Sequence, residues 1–385
     1  MEDRKISAEL REAGFHFSVP HLSVSRLGLR ISSLVPWFMQ RSPHASFLVL
    51  GLLATVATVR GWDYEGHRIV NQLGLAALPA DFPAFVREPA NAERIAFLAG
   101  EPDRWRNVDP WLQQVGPSWT DHFLDVEELG EAGLAPRSVS SFRLEFAVAF
   151  AAGRAAHADK FPVIDPARNP ARTREWPGFA PWAIAEWFQK LRSAFSYLKA
   201  FEEVGGTSEE IAQAKANAVY LMGVMGHYVG DCAQPLHTTK HYNGWTGPNP
   251  DGYTTAPGIH SWIDSGFIAK ARITLADLAP RSTPAEPFVF APREDGRDPF
   301  FVVALDYILA QHELVEPLYR LEKDGLLGRG EQPVTPEGQA FIEGQLLKGG
   351  QMLGRIWVTA WRSAPVDLYL RAQLVKRQDA AAAGK

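Results

Sequence analysis

The stretch His227-Tyr-Val-Gly-Asp-Cys-Ala-Gln-Pro-Leu-His237 places two histidines and one carboxylate within eleven residues. The apolar run before it predicts a helix. His227 and Asp231 are four residues apart, so on this helix they project from one face, one turn apart. Pro235 ends the helix, and His237 lies just beyond it, where the chain can turn back. The stretch therefore predicts three metal ligands at one end of a helix.

A second pair, His260 and Asp264, repeats the four-residue spacing after a loop rich in Gly, Pro and Asn. Helical periodicity also predicts helices over 65–78, 90–99 and 181–203, a helix capped by Thr207 or Ser208, and two late helices of which the last covers 336–361. Long helices resume only at Pro181 after the Gly, Pro, Arg and Ala-rich residues 130–175, in which 165–172 is expected to be an exposed loop. The prediction is an all-α fold, a single mainly helical domain with long loops.

A short apolar run with a basic flank lies near the start of the chain. Met39-Gln-Arg41 precedes the apolar residues 47–59, and mostly small residues follow as far as Gly61. This pattern is typical of a secretory signal peptide and is too short to span a bilayer in the mature protein; the alternative is a buried core helix. No second run of this kind follows, so no stable membrane span is expected after cleavage. The predicted segments are a start-site extension over 1–38, a signal peptide over 39–61 and a mature domain over 62–385.

Loss of residues 1–61 would remove seven of the 39 basic and four of the 44 acidic residues, leaving 32 against 40. This mildly acidic balance argues against a broad basic surface for nucleic acid, although bound cations would reverse the field locally. The single cysteine, Cys232, cannot form an internal disulfide. It is either a metal ligand or, as we prefer, a small buried residue.

The candidate ligands are all imidazoles and carboxylates. Nitrogen and oxygen donors without thiolate suit catalytic zinc better than a zinc finger. Any one histidine is more often an ordinary hydrogen-bonded residue, but five of the eight histidines after Gly61 belong to this set. The set is His67, Asp103, His122, His227, Asp231, His237, His260 and Asp264.

Six motifs follow one another along the chain: Trp62 with His67 five residues later, Asp103-Arg-Trp-Arg106, His122-Phe-Leu-Asp125, the His227 to His237 stretch, His260-Ser-Trp-Ile-Asp264 and Lys348-Gly-Gly350. In this order and spacing they resemble the zinc-dependent single-strand nucleases of fungi and plants, together with the bacterial zinc phospholipases C that share their fold. The resemblance covers most of residues 62–385. It implies a phospholipase C/nuclease-like fold with a trinuclear zinc cleft.

The resemblance also implies how three Zn²⁺ ions are held. The implied ligands are Asp103, His122, His227 and Asp231 for the first ion, His237, His260 and Asp264 for the second, and the Trp62 amine and carbonyl with His67 and Asp231 for the third. Asp231 would then bridge two ions. Because a backbone amine can bind metal only at a free terminus, cleavage after Gly61 would complete the site.

The predicted reaction is phosphodiester hydrolysis by metal-activated water. Asp103 is expected to orient or deprotonate the water in addition to binding metal. Arg106 is expected to bind phosphate oxygens through its guanidinium fork, the alternative being an ion pair with a nearby carboxylate.

Asp264 favours the nuclease branch, because the phospholipase branch typically has Glu at that position. We therefore expect a monomeric, exported enzyme, periplasmic or extracellular. It would be an endonuclease and 3′-nucleotidase that hydrolyses single-stranded DNA and RNA to 5′-phosphorylated products. The alternatives are a phospholipase C, which would need an exposed apolar rim near the zincs, and a non-catalytic zinc-binding protein. Aromatic residues that could stack bases, or simply belong to the core, are Tyr64, Trp105, Trp111, Trp119, Tyr242 and Trp245.

Overall fold

Helices form along this chain where apolar residues recur at helical spacing between Gly- and Pro-rich stops. The computed structural model describes residues 64–116 and 118–383, and within these ranges the chain is mainly helical and contains no β-strand. The all-α prediction is confirmed for this part of the protein. Its longer helices are α1 Tyr64–Ala76, α2 Pro89–Leu98, α3 Arg143–Ala156, α4 Ala180–Val204, α5 Ser208–Ala233, α6 Pro299–His312, α7 Val315–Lys323, α8 Pro336–Arg362 and α9 Leu368–Ala383.

Short helical turns occupy the connections between these helices. The α-helical turns are Glu101–Arg104, Trp111–Val115, Val126–Glu131, Ile259–Ser261, Ile268–Ala271 and Leu275–Leu278. The 3₁₀ turns are Ala84–Arg87, Trp105–Val108, Trp119–His122, Pro136–Ser138, Ala158–Lys160, Pro166–Arg168, Pro235–Thr238 and Ala279–Arg281, and a π-helical segment covers Trp262–Phe267.

Helix α5 is the central element of the packing. The Thr207 hydroxyl accepts a hydrogen bond from the Glu210 amide, and the Glu210 carboxylate accepts one from the Thr207 amide, which forms a capping box at the predicted start. From Met222 to Ala233 every residue is buried. This half of α5 is buried because α1, α2, α4 and α8 all pack against the helix.

Helix α8 approaches α1 and α5 through its glycine pair. A Cβ atom on Gly350 would lie 2.3 Å from the Leu73 Cβ atom, and one on Gly349 would lie 3.0 Å from the Ala233 Cβ atom. No side chain larger than hydrogen fits at Gly350 without displacing α1. The glycines therefore bring the helix that carries His67 close to the ligand-bearing end of α5.

The helices whose ends were predicted are confirmed to within two residues. Three of the longer helices were missed, because one helix was predicted where both α6 and α7 lie and none at α3 and α9. Helix α3 lies in the stretch where no long helix was expected, because exposed Leu144 and Val148 accompany buried Phe146 and Phe150 and blur the amphipathic pattern. Helix α9 follows the last predicted helix. The 165–172 loop is exposed as predicted at most positions, although Asn169 is buried.

The predicted start-site extension, the signal peptide and Trp62 lie outside the described residues. Among the helices that are described, none is both long and apolar enough to cross a membrane.

Candidate metal centre

The last turns of α5 present two candidate ligands in a buried environment. His227 and Asp231 are both fully buried, and His227 Nε2 lies 3.2 Å from Asp231 Oδ2. His227 Nδ1 donates a hydrogen bond to the Ala99 carbonyl oxygen at 2.7 Å. Because this bond uses the Nδ1 proton, Nε2 is left with a lone pair directed toward the carboxylate. Helix α5 ends at Ala233, before Pro235, as predicted.

A first ligand group forms where two other segments reach this end of α5. His122 Nδ1 is 2.9 Å from both Asp231 Oδ2 and His227 Nε2, and Asp103 Oδ1 is 3.9 Å from His227 Nε2. A tetrahedral zinc ion with bonds of about 2.0–2.1 Å holds its ligand atoms roughly 3.3 Å apart. The spacing of the His122, His227 and Asp231 donor atoms therefore suits a metal ion of this size, whereas Asp103 groups with His67 and His227.

A second ligand group lies on the chain that follows α5. His237 Nε2 and His260 Nε2 face each other at 3.0 Å, and Asp264 Oδ2 is 2.9 Å from His260 Nε2. All three side chains are buried. Two imidazole nitrogens and a carboxylate oxygen converge on one point, which is the arrangement needed to hold a cation.

Hydrogen bonds around the second group fix its rings and its carboxylate. His237 Nδ1 donates to the His122 carbonyl oxygen at 3.1 Å, and His260 Nδ1 donates to the Tyr242 carbonyl oxygen at 3.2 Å. The Gln234 amide donates to Asp264 Oδ1 at 2.8 Å, while Asp264 Oδ2 has no hydrogen-bond partner among the described residues. These contacts orient the donor atoms toward the same point.

His67 joins the site from α1. Its Nε2 atom lies 3.3 Å from Asp231 Oδ1, and its ring stacks on that of His227 with the ring centres 4.0 Å apart. Gly230 leaves room for the ring, because a Cβ atom there would lie 2.9 Å from His67 Nδ1. Within the described chain neither ring nitrogen of His67 has a hydrogen-bond partner, and burial, reinforced by His227, lowers the pKa of His67. Such orphaned buried nitrogens are costly unless a ligand satisfies them.

Asp231 connects the groups. Its Oδ2 atom faces His122 and His227, whereas its Oδ1 atom lies 3.3 Å from His67 Nε2 and 3.7 Å from His237 Nε2. Burial alone would raise the pKa of Asp231, but the surrounding imidazoles, His227 first, outweigh it and hold the pKa well below its usual range. The centre therefore contains a buried anion whose two oxygens point in different directions.

Arg106 lies at the edge of the first group. Its Nη2 atom is 3.0 Å from Asp103 Oδ1, its Nε donates to the Asp103 carbonyl oxygen at 3.1 Å, and its guanidinium carbon lies 5.3 Å from the centre of the Trp119 ring. The sequence analysis gave an ion pair with a nearby carboxylate as the alternative role of Arg106, and the structure contains this ion pair, with Asp103. Because its partner is itself a candidate ligand, the guanidinium lies next to the candidate metal centre; its phosphate-binding role stays a prediction.

Eight of the nine predicted ligands belong to the described residues, and the structure brings all eight into one connected cluster. Cys232 is buried, as preferred, and burial raises the pKa of its thiol. Trp62, predicted beside His67, lies outside the described residues.

Two positioning residues were missed. Gln234 belongs to the His227 to His237 stretch, but nothing in the sequence indicated that its side chain would bind Asp264. Asn71 follows His67 by one turn of α1, and its amide donates to the carbonyl oxygens of Ile95 at 2.8 Å and Gly223 at 2.9 Å, which holds α1 against α2 and α5. The four-residue spacing from His67 was the only available signal for it.

Fold and site together define a mainly helical protein with buried His/Asp groups that could hold metal ions. A scan against protein-family models matches none, and a search of curated proteins gives no match.

Proposed function

We propose that this chain is an exported, zinc-dependent endonuclease and 3′-nucleotidase that acts on single-stranded DNA and RNA. The observation that carries the proposal is the Asp231 carboxylate, which lies among four buried imidazoles and faces two of them with each oxygen. A carboxylate in this position can serve two cations at once. The unpartnered His67 nitrogens and Asp231 Oδ1, judged among the described residues, further support cation binding.

The proposed zinc ligands are the three sets implied by the family resemblance, including the Trp62 amine, which becomes available once the leader is removed. The donor set of the described groups contains nitrogen and oxygen and no thiolate, which suits catalytic zinc. When bound, zinc ions lower the pKa of water from about 15.7 toward about 7 and neutralise phosphate charge.

Two side chains at the edge of the first group have proposed roles beside metal binding. Burial opposes ionisation of Asp103, but His227 and His122 outweigh it and lower its pKa, so this carboxylate is ionised and able to accept a hydrogen bond from water and orient it. Arg106, which forms an ion pair with Asp103, is proposed to bind phosphate oxygens through its guanidinium group. Together they would position a phosphodiester beside the zinc ligands.

An apolar rim beside the first group supports a second candidate, a phospholipase C. Val108, Trp111 and Val115 are 54%, 69% and 86% exposed; Val108 lies on the turn that contains Arg106, and the other two lie on the next turn, Trp111–Val115. Exposed Trp and Val side chains next to a phosphate-handling site could enter a lipid interface. The aspartate at position 264 keeps the nuclease as the first candidate.

The deciding experiment uses the mature chain that begins at Trp62. Its hydrolysis of single-stranded nucleic acid, 3′-nucleotides and phosphatidylcholine vesicles is compared with and without a chelator. We expect chelator-sensitive cleavage of the first two. Cleavage of the vesicles alone would establish the phospholipase, whereas activity that resists the chelator would contradict the zinc mechanism. A protein that binds zinc but cleaves none of the substrates would be the non-catalytic alternative.

A further inference from the structure

Helix α3 packs on the rest of the protein through one face and leaves the opposite face exposed. On the packed face, Phe146 stacks on Trp182 with the ring centres 4.0 Å apart, and Phe150 is fully buried. A Cβ atom on Gly153 would lie 2.1 Å from the Ala132 carbonyl oxygen, so the helix is in close contact with its support. The exposed face therefore does not result from loose packing of the helix.

The exposed face of α3 is apolar along its whole length. Leu144 and Val148 are 80% and 71% exposed, and Phe142, just before the helix, is 63% exposed. Among the exposed residues of this helix, which is described throughout, only Glu145 is charged. The others are alanines at positions 149, 151, 152, 155 and 156. Contiguous apolar surface of this kind marks a contact with another molecule or with a membrane.

The size of this face argues against a second copy of the chain as its occupant. The helix has 14 residues, so its face is about 21 Å long and about 10 Å wide, an area on the order of 200 Å². Stable interfaces between proteins bury about 800 Å² on each partner. A helix at a membrane surface has no such threshold, because it binds through its own apolar face and through attraction to anionic lipids.

The charge of the chain that follows α3 favours the same occupant. Val163 on this chain is 100% exposed. Between 157 and 174 the exposed residues include four cations and two carboxylates, which are Lys160, Arg168, Arg172, Arg174, Asp159 and Asp165. This excess is opposite to the mildly acidic balance of residues 62–385. The cations would repel their counterparts in a symmetric dimer, whereas they attract anionic lipid head groups.

We propose that the exposed face of α3 docks on the surface of an anionic lipid bilayer. Leu144 and Val148 enter the boundary between head groups and acyl chains, and the cations that follow the helix bind lipid phosphates. The helix lies in the plane of the membrane and does not cross it, because 14 residues are too few to span a bilayer. The face contains none of the candidate metal ligands, and the inference does not depend on the proposed function.

The test measures co-sedimentation of the zinc-loaded mature protein, whose described residues fall in one compact unit, with lipid vesicles. Phosphatidylcholine vesicles are compared with vesicles in which about one-third of the lipid is phosphatidylglycerol. We expect binding to the anionic vesicles, which should weaken about 10-fold or more as the salt concentration rises from about 50 to about 500 mM.

Two variants assign the binding to α3. Leu144→Gln combined with Val148→Gln should reduce partitioning onto the anionic vesicles by about 10- to 100-fold, because both changes remove apolar surface. Ala152→Glu adds a carboxylate to the same face without removing a packed side chain and should also weaken binding. Its matched control is Ala372→Glu, the same change at an exposed alanine of α9, which should leave partitioning unchanged. Circular dichroism and zinc content check that every variant is folded.

Each contrary result would overturn the proposal in a different way. Binding to neither kind of vesicle would overturn docking, and equal binding to both kinds would overturn the anionic bilayer as the occupant. Equal losses in Ala152→Glu and Ala372→Glu would overturn docking through α3, because the added charge alone would then explain them. A dimer in solution that dissociates in the Leu144→Gln, Val148→Gln variant would assign the face to a second copy and equally overturn the proposal.

Discussion

Asp231 and Asp264 are both fully buried and each follows a histidine by four residues, yet their charges are controlled differently. Burial raises the pKa of Asp264, because His260, His237 and the Gln234 amide only partly offset it. At Asp231 burial acts in the same direction, but His227, His237 and His122 reverse the result and lower the pKa. The neighbours of a buried carboxylate, and not its burial alone, decide whether it carries charge.

The two aspartates also differ in how their surroundings are assembled. The Asp264 group is drawn from one continuous stretch, between Gln234 and Asp264. The Asp231 group needs α1, the turns that carry Asp103 and His122, and α5 at the same time. A substitution of Asp231 should therefore affect more of the site than a substitution of Asp264.

The largest expected effect is that of Asp231→Asn. The carboxamide removes the charge and one of the two donor oxygens, so the first and third of the three proposed zinc ions should both be lost while the second remains. Cleavage of single-stranded DNA should fall on the order of 10³-fold or more, since metal activation supplies several kcal/mol. Zinc content measured by atomic emission checks the stoichiometry, and three retained equivalents would contradict the bridging role.

His227→Ala and His260→Ala form a matched pair of variants, because each should empty one of the proposed zinc sites. His227→Ala should abolish activity by emptying the first site, with a loss of at least about 10²-fold, and His260→Ala should empty the second site only. The comparison requires zinc content and turnover on the same preparations. Unchanged turnover in His227→Ala would show that the first assignment is wrong.

A residue retained before Trp62 should weaken zinc binding at the proposed third site, which includes Asp231, and should leave the second site unchanged. A leaderless protein that keeps Met ahead of Trp62 has no free Trp62 amine, so the third zinc should bind more weakly and about one equivalent should be missing. The control is the same chain with Trp62 as its free N-terminus. Full zinc content and full activity in the Met-extended protein would refute this role of the amine.

The smallest effect is expected from Gln234→Leu. Removal of the amide that orients Asp264 should weaken zinc at the second group by about 10- to 100-fold, which is the usual range for a residue that supports a ligand. Competition with a chelator measures this affinity. The control is Gln311→Leu, which replaces a buried glutamine that is hydrogen-bonded to Gln345. An equal loss of zinc affinity in this variant would show that the Gln234 effect comes from general destabilisation.

Much of the site was predictable because two residues four apart on a helix lie on the same face, one turn apart. This spacing places His227 above Asp231, and His260 pairs with Asp264 in the same way even though a π-helical segment begins at Trp262. Helix α5 and its Thr207 cap followed from the same local rules. Helix α3 did not, because its apolar residues occupy both faces.

The sequence by itself determined the helical class, the ends of the principal helices and the set of imidazoles and carboxylates, because these depend on neighbours within a turn or two. Tertiary structure decided which ligands meet: His122 lies 109 residues from Asp231 in sequence, and the Ala99 carbonyl that orients His227 is 128 residues away from it. It also set the opposite pKa shifts of Asp231 and Asp264. Charge in a buried group depends on every dipole and ion packed around it, and those come from segments whose separation along the chain carries no local signal.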